Sequence, residues 1–217
     1  VSCMTYQAAS GAGAAAMKEL ILQMEALCSE EYLGENWKEL PPLKLEEKFT
    51  QAMRSYTLPK KELPATLAGS LIPWIDKPMN NGETREEWKA TVESKKIIGE
   101  STKAPIVDGT CVRVSSLRCH SQAMTIKLIK DIHISDIESA IAGGTEWTEV
   151  IPNEQDITME KLTPTYVTGT MRIPVGRIRK MKMGGDFLTA FTVGDQLLWG
   201  AAEPLRRAMN IIYEFEN

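Results

Sequence analysis

Strand-like and helix-like runs interleave along this chain without the strand–helix–strand rhythm of a parallel sheet. Residues 1–8 read as a strand. Ala14 to about Glu30 carry Met17, Leu20, Ile21, Met24 and Leu27 at the spacing of an amphipathic helix. No second strand follows. Residues 31–65 are polar and broken by proline ("GENWKELPPLKLEEKF", "YTLPKKELPA"), which predicts an irregular excursion with one short helix. "LAGSLIPWID" is a short apolar segment that ends in a loop. "NNGETREEWKATVESKKIIG" is a punctuated helix: Asn81-Gly82 turn the chain, Thr84 caps with Glu87 three residues on, and Gly99 stops it. "GTCVRVSSL" and "AMTIKLIKDI" alternate as strands, the second placing Met124, Ile126 and Leu128 on one face. "ISDIESAIAGG" is a capped short helix, "TGTMRIPVGRIRKMKM" reads as a hairpin, and "FLTAFTVGDQLLWGAAEPLRRAMNIIYEF" as a strand feeding a closing helix. The expected class is α+β with a mixed sheet.

The totals narrow the setting. At 217 residues, 43% hydrophobic and 25% charged, the chain has globular proportions. A net charge of −4 gives no reason to expect a nucleic-acid partner, and no apolar run reaches the roughly 20 residues of a bilayer span. Cys3, Cys28, Cys111 and Cys119 are widely spaced and only two histidines are present. That speaks against a zinc site or a disulfide framework and for a reducing, cytoplasmic setting. The chain starts at Val1 in strand-like sequence, as a piece of a longer polypeptide would.

Gly11-Ala-Gly13-Ala-Ala-Ala16 fits the G-x-G-x-x-G/A pattern of dinucleotide turns. Such a turn needs a second parallel strand ending in an acid about 20 residues on. Glu30 and Glu31 stand near that distance, but "SEEYLGENWKELPP" is no strand. Two readings remain: a tight strand-to-helix turn, or a helix N-terminus offering N–H groups to an anion, with Gln7 and Ser10 projecting nearby.

"CVRVSSLRCHSQAMTIKL" carries the densest polar chemistry. His120 falls between two strand-like runs, at a strand end or turn where reactive groups are presented. Arg113 lies within a strand, where a buried guanidinium needs an anion and its fork suits a carboxylate. Cys119 and His120 are adjacent and so face opposite sides of a strand, which places Cys119 poorly to use His120 as a base. Glu86 and Lys89, three apart on a helix, read as a solvated salt bridge.

Several stretches together resemble the C-terminal part of aspartate-β-semialdehyde dehydrogenase of the Gram-negative bacterial type: "TYQAASGAG", "LAGSLIPWIDK", "REEWK", "VDGTCVRVSSLRCHSQAMTIKL", "TPTYVTGTMRIPVGRIRKMKMG" and "FTVGDQLLWGAAEPLRR". The resemblance runs through nearly the whole chain and is weakest at 31–65. It implies a glyceraldehyde-3-phosphate-dehydrogenase-like C-terminal domain over 1–217, with helices on one face of the sheet and a homodimer interface on the other. It also implies that the closing helix packs toward the missing domain. The implied reaction reduces L-aspartyl 4-phosphate to L-aspartate 4-semialdehyde with NADPH, on the route to lysine, threonine and methionine.

By the same resemblance, His120 is the acid/base and Gln7 orients the substrate beside the nucleophile. Arg113 grips the α-carboxylate, Glu86 the amino group and Lys89 the departing phosphate, while Ser10, Gly11 and Gln196 face the nicotinamide end of NADP. No metal is implied. The family's dinucleotide-binding domain and nucleophilic cysteine precede "YQAASG" and are not in these residues, and Cys3 does not match that cysteine. The fragment alone is therefore expected to be inactive. Two alternatives are an N-acetylglutamyl-phosphate reductase-like enzyme, against which Glu86 argues, and a non-catalytic module for dimerisation or anion binding.

Overall fold

A computed structural model of the chain describes residues 1–99 and 104–216. β1 (Ser2–Gln7) leads through a 3-10 turn into α1 (Ala14–Leu27), followed by α2 (Glu30–Leu33) and α3 (Pro42–Met53). β2 (Leu71–Ile72), α4 (Arg85–Ile98), β3 (Asp108–Val114), β4 (Cys119–Lys127) and α5 (Ile134–Ala142) come next. The chain continues through β5 (Thr148–Val150), α6 (Gln155–Lys161), α7 (Pro164–Val167), β6 (Ile173–Met181) and β7 (Gly184–Asp195). A π-helical turn, Leu198–Ala202, then runs into α8 (Glu203–Glu216).

The strands form one sheet in the order β2-β3-β1-β4-β7-β6-β5. β1/β3 and β5/β6 are parallel and the other pairs antiparallel, so the sheet is mixed. The register sets Cys3, Thr5 and Gln7 on the same face as Cys111, Arg113, Gln122 and Met124. α5 covers that face, with Ile134, Ile137 and Ile141 packed against Ile178, Leu188 and Ala190. α4 lies over its β3 edge, where Glu87 Oε1 accepts the Cys111 N–H at 3.1 Å. The opposite face leaves Met4 and Tyr6 exposed, with Tyr6 leaning on Phe191. α6 and α7 cover one end of it, around Val193 and Cys119. No helix among the described residues is long and apolar enough to cross a membrane.

Three details differ from the sequence reading. The excursion at 31–65 holds two helices, and α3 is twelve residues long. Second, "TGTMRIPVGRIRKMKM" is not a hairpin. Its central glycine, Gly176, sits at a bulge where a Cβ would meet Leu162 and Ile151 at 3.0 and 3.1 Å. The reversal falls instead at Lys182–Met183, between β6 and β7.

Third, the buried stripe of α1 is Ala16, Glu19, Leu20, Gln23 and Leu27, while Ile21 and Met24 face outward. Glu19 and Gln23 are inside because they hold the excursion. The Glu19 carboxylate accepts the N–H groups of Lys61, Glu62 and Leu63 at 2.7–2.8 Å. Gln23 Oε1 accepts those of Leu67 and Ala68, and its Nε2 donates to the Pro59 carbonyl. Glu19→Ala strands these donors and should cost about 3 kcal/mol of unfolding free energy, read by urea denaturation. An unchanged midpoint would show that the excursion does not depend on this carboxylate.

Candidate active site

β4 runs against both β1 and β7, and β3 runs with β1. The carboxyl ends of β1, β3 and β7 therefore meet the start of β4 at one end of the sheet. Gln7 closes β1, Arg113 lies one residue from the end of β3, and His120 is the second residue of β4. α4 brings Glu86 and Lys89 over that end. Its first turn is fixed by a capping box in which the Glu87 N–H donates to Thr84 Oγ1 and the Thr84 N–H to Glu87 Oε2. Through Glu87 the same cap grips β3, so one helix start sets the height of the site wall.

The result is a pocket of about 420 Å³ lined by Gln7, Gly11, Ile75, Asp76, Glu86, Lys89, Arg113, His120 and Gln196. Seven of the eight residues singled out in the sequence share it. The eighth, Ser10, is buried behind the wall and donates its hydroxyl to Gln196 Oε1 at 2.8 Å. Glu86 and Lys89 do form an ion pair, at 2.8 Å, but on the pocket wall rather than on an open helix surface. The hydrogen bond to Glu86 raises the Lys89 pKa. Gln7 Nε2 donates to Thr5 Oγ1 and Glu86 Oε1 at 3.3 and 3.4 Å, which fixes its amide on the pocket wall.

Arg113 is buried at 8% exposure, and its Nη1 donates to the Ala8 carbonyl at 2.7 Å. No carboxylate of the described residues lies within 4.0 Å of it. Burial lowers its pKa, with Glu86 acting in the opposite sense. A buried cation without an anion of its own is costly, which leaves the guanidinium fork available to an anionic ligand. Glycine at position 11 leaves room for the Arg113 and His120 side chains. A Cβ there would stand 2.8 Å from Arg113 Nη1 and 3.4 Å from His120 Nε2.

His120 Nδ1 accepts the Ala8 N–H at 3.2 Å, so in the neutral ring Nε2 carries the proton. Burial, and then the Arg113 charge, push its pKa down from 6.5 to about 4, with Glu86 opposing. The unfolded chain therefore binds the proton more tightly than the folded one between these two values. Stability from this residue is present above pH 6.5 and is lost as pH falls toward 4, by up to about 3 kcal/mol. Urea denaturation of the chain between pH 4 and 7 should show that slope, and His120→Asn should flatten it. Parallel profiles for the two proteins would contradict the assigned environment.

The thiols are elsewhere. Cys3, Cys111 and Cys119 are buried, and burial is the leading cause that raises the pKa of each. Cys119 points away from His120, its Sγ 3.2 Å from Thr168 Oγ1. None of the four cysteines lines the pocket. The described residues hold no cluster of three His, Cys, Asp or Glu side chains suited to a metal.

Sequence reading missed Asp76, which enters the pocket wall with a left-handed φ of 70°. It also missed Asp195 and Arg118, which lie behind the pocket as an ion pair of 2.7 Å. An arginine one residue from the cysteine–histidine pair was the available signal for the second.

Residues 1–199 match the family described as semialdehyde dehydrogenase, dimerisation domain. Among solved structures, aspartate semialdehyde dehydrogenase from Francisella tularensis is 44% identical over 98% of this chain and 57% of its own, with a TM-score of 0.90. Aspartate semialdehyde dehydrogenase II from Vibrio cholerae, complexed with ASA, is 23% identical over 98% and 54%, with a TM-score of 0.75. The Candida albicans enzyme with NADP is 15% identical over 93% and 46%, with a TM-score of 0.52. The last two share the fold. The chain spans about half the length of these structures, from 46% to 57%.

Proposed function

Because this chain belongs to the semialdehyde dehydrogenase family through its dimerisation domain, we propose that it supplies the substrate site and acid/base group of an NADP-dependent aspartate-semialdehyde dehydrogenase. The reaction is the reductive dephosphorylation of L-aspartyl 4-phosphate to L-aspartate 4-semialdehyde, a step toward lysine, threonine and methionine. The observation that carries this reading is a buried guanidinium with no carboxylate partner among the described residues, in the same pocket as a half-buried imidazole. The Francisella tularensis structure, at 44% identity, bears the name of that enzyme, and the Vibrio cholerae structure holds ASA.

In this reading Arg113 takes the substrate α-carboxylate and Glu86 its amino group, while Lys89 stands toward the departing phosphate. Gln7 orients the acyl carbon toward a nucleophilic cysteine supplied by polypeptide beyond these residues. The neutral His120 ring donates its Nε2–H to the carbonyl oxygen as a hydrogen bond and stabilises the charge that develops there. Once protonated, the ring delivers the Nε2 proton to that oxygen and becomes the Nδ1–H tautomer as the Ala8 contact is released. In the reverse step it takes the proton back at Nε2. A carboxylate on Arg113 would cancel the cation that helps hold the His120 pKa down, so substrate binding makes the ring a better proton acceptor.

NADPH would supply the hydride. The turn at Ser10 and Gly11, with Gln196, fits its nicotinamide end, because glycine brings backbone close to the pocket and Ser10 fixes the Gln196 amide. The pyrophosphate fingerprint does not fit here. α1 is followed by α2 and α3 rather than by a strand paired with β1, and the main cofactor domain belongs to the same further polypeptide.

The open sheet face around Met4, Tyr6 and Phe191 suits a second copy of the chain, giving a homodimer. Expressed alone, residues 1–217 should neither oxidise aspartate semialdehyde nor reduce NADP, whereas the complete polypeptide should do both. Turnover by residues 1–217 alone would refute the division of labour.

A further inference from the structure

Asp195 is completely buried at the end of β7, and four groups converge on its carboxylate or on its ion partner. Arg118 Nη2 lies 2.7 Å from Oδ2, which also accepts the Gly169 N–H at 2.7 Å, and Oδ1 accepts the Leu197 N–H at 3.0 Å. The Arg118 carbonyl accepts the Gln196 N–H at 3.0 Å and lies 3.5 Å from the Ser10 hydroxyl oxygen. Arg118 Nε is buried with no partner among the described residues, and the one carboxylate of those residues that pairs with the guanidinium is Asp195.

The pair thus ties together the loop entering His120, the loop leaving β7 at Gln196, and the end of α7. A buried ion pair is seldom the stablest filling of such a space, since apolar residues of similar volume often do as well. What it adds here is geometry: the segments it joins carry His120 and Gln196 into the pocket.

We propose that Asp195 is a positioning residue of the active site, acting through Arg118 to set His120 and through Leu197 to set Gln196. This rests on the reading that His120 and Gln196 face a reacting carbonyl. An error of an ångström in a reacting group costs about a hundredfold in rate. Asp195→Asn in the complete polypeptide should therefore lower kcat by about that factor while KM for aspartate semialdehyde stays within about threefold.

The double variant Asp195→Asn/Arg118→Gln removes both charges and should recover thermal stability without recovering kcat. Recovery of kcat to within about twofold would reduce the pair to charge compensation and overturn the proposal. If Asp195→Asn does not fold, Arg118→Lys, at a partly exposed site, keeps the charge but loses the fork and takes its place in the same comparison; an unchanged kcat there overturns the proposal as well.

A readout independent of turnover separates this inference from the function it rests on. The nitrogen NMR signals of the His120 ring report the Ala8 hydrogen bond and the titration of the ring. In Asp195→Asn, or in Arg118→Lys if that variant is used, the ring should lose the Nδ1 acceptor signature and titrate nearer its ordinary pH. Unchanged ring signals would overturn the inference even in an active enzyme. An inactive wild type with altered ring signals in the variant would instead refute the proposed function and leave the positioning role standing.

Discussion

His120→Ala in the complete polypeptide should lower kcat by about a thousandfold, with little change in KM for the semialdehyde. The imidazole is placed by its backbone rather than by a carboxylate. Nδ1 is engaged by the Ala8 N–H, which leaves Nε2 toward the pocket. Its low pKa means that the ring is neutral through the physiological range, so the loss should persist at every pH from 6 to 9 rather than appear as a shifted optimum. His120→Gln can still donate one hydrogen bond but cannot carry a proton, and should recover part of the loss. Steady-state kinetics decide the matter. A kcat within tenfold of wild type for the alanine variant would remove His120 from the chemistry.

Arg113→Met should lower kcat/KM by about two to four orders of magnitude while leaving the melting temperature unchanged or higher. Two charge-assisted hydrogen bonds to a carboxylate are worth about 3–5 kcal/mol together, which sets the scale of the loss. Folding gains little from this cation, because its described partner is one carbonyl oxygen and no carboxylate of the described residues lies within 4.0 Å of it. Methionine fills a similar volume without desolvating a charge. A residue that costs stability and is needed for turnover is the signature of a ligand site. A large drop in melting temperature with kcat/KM nearly intact would identify Arg113 as structural.

The parts legible in the sequence were those whose partners lie nearby in the chain. The cap of α4 was readable because Thr84 and Glu87 complete it within one turn, and Cys119 and His120 diverge by strand alternation alone. Glu19 and Gln23 were not readable as core residues, because the backbone groups they satisfy lie some 40 positions away. Gly176 suggested a turn, but whether a glycine turns or bulges depends on the neighbours it must clear, here Leu162 and Ile151.

The site itself is the extreme case. Its members run from Gln7 to Gln196 and meet only because the topology brings three strand ends to the start of β4. Local pattern gave Arg113 a need for an anion and His120 a strand end. It read Glu86 and Lys89 as solvent-facing, since spacing on a helix does not say what lies opposite. Resemblance to a family joined them, and the shared pocket supplies the distances.

The most direct test compares two aldehydes with the complete polypeptide, phosphate and NADP: L-aspartate 4-semialdehyde and N-acetyl-L-glutamate 5-semialdehyde. The amino group is the distinguishing feature, because the Glu86 carboxylate on the pocket wall pairs with the charge of a free ammonium, whereas an amide offers it only one uncharged N–H. A charge-assisted contact of about 1.5–3 kcal/mol predicts kcat/KM for the aspartate compound higher by at least about tenfold to a hundredfold. Loss of that preference in Glu86→Gln would trace it to the carboxylate. Equal rates, or a preference for the acetylated compound, would contradict the substrate assignment and with it the roles given to Arg113 and Glu86.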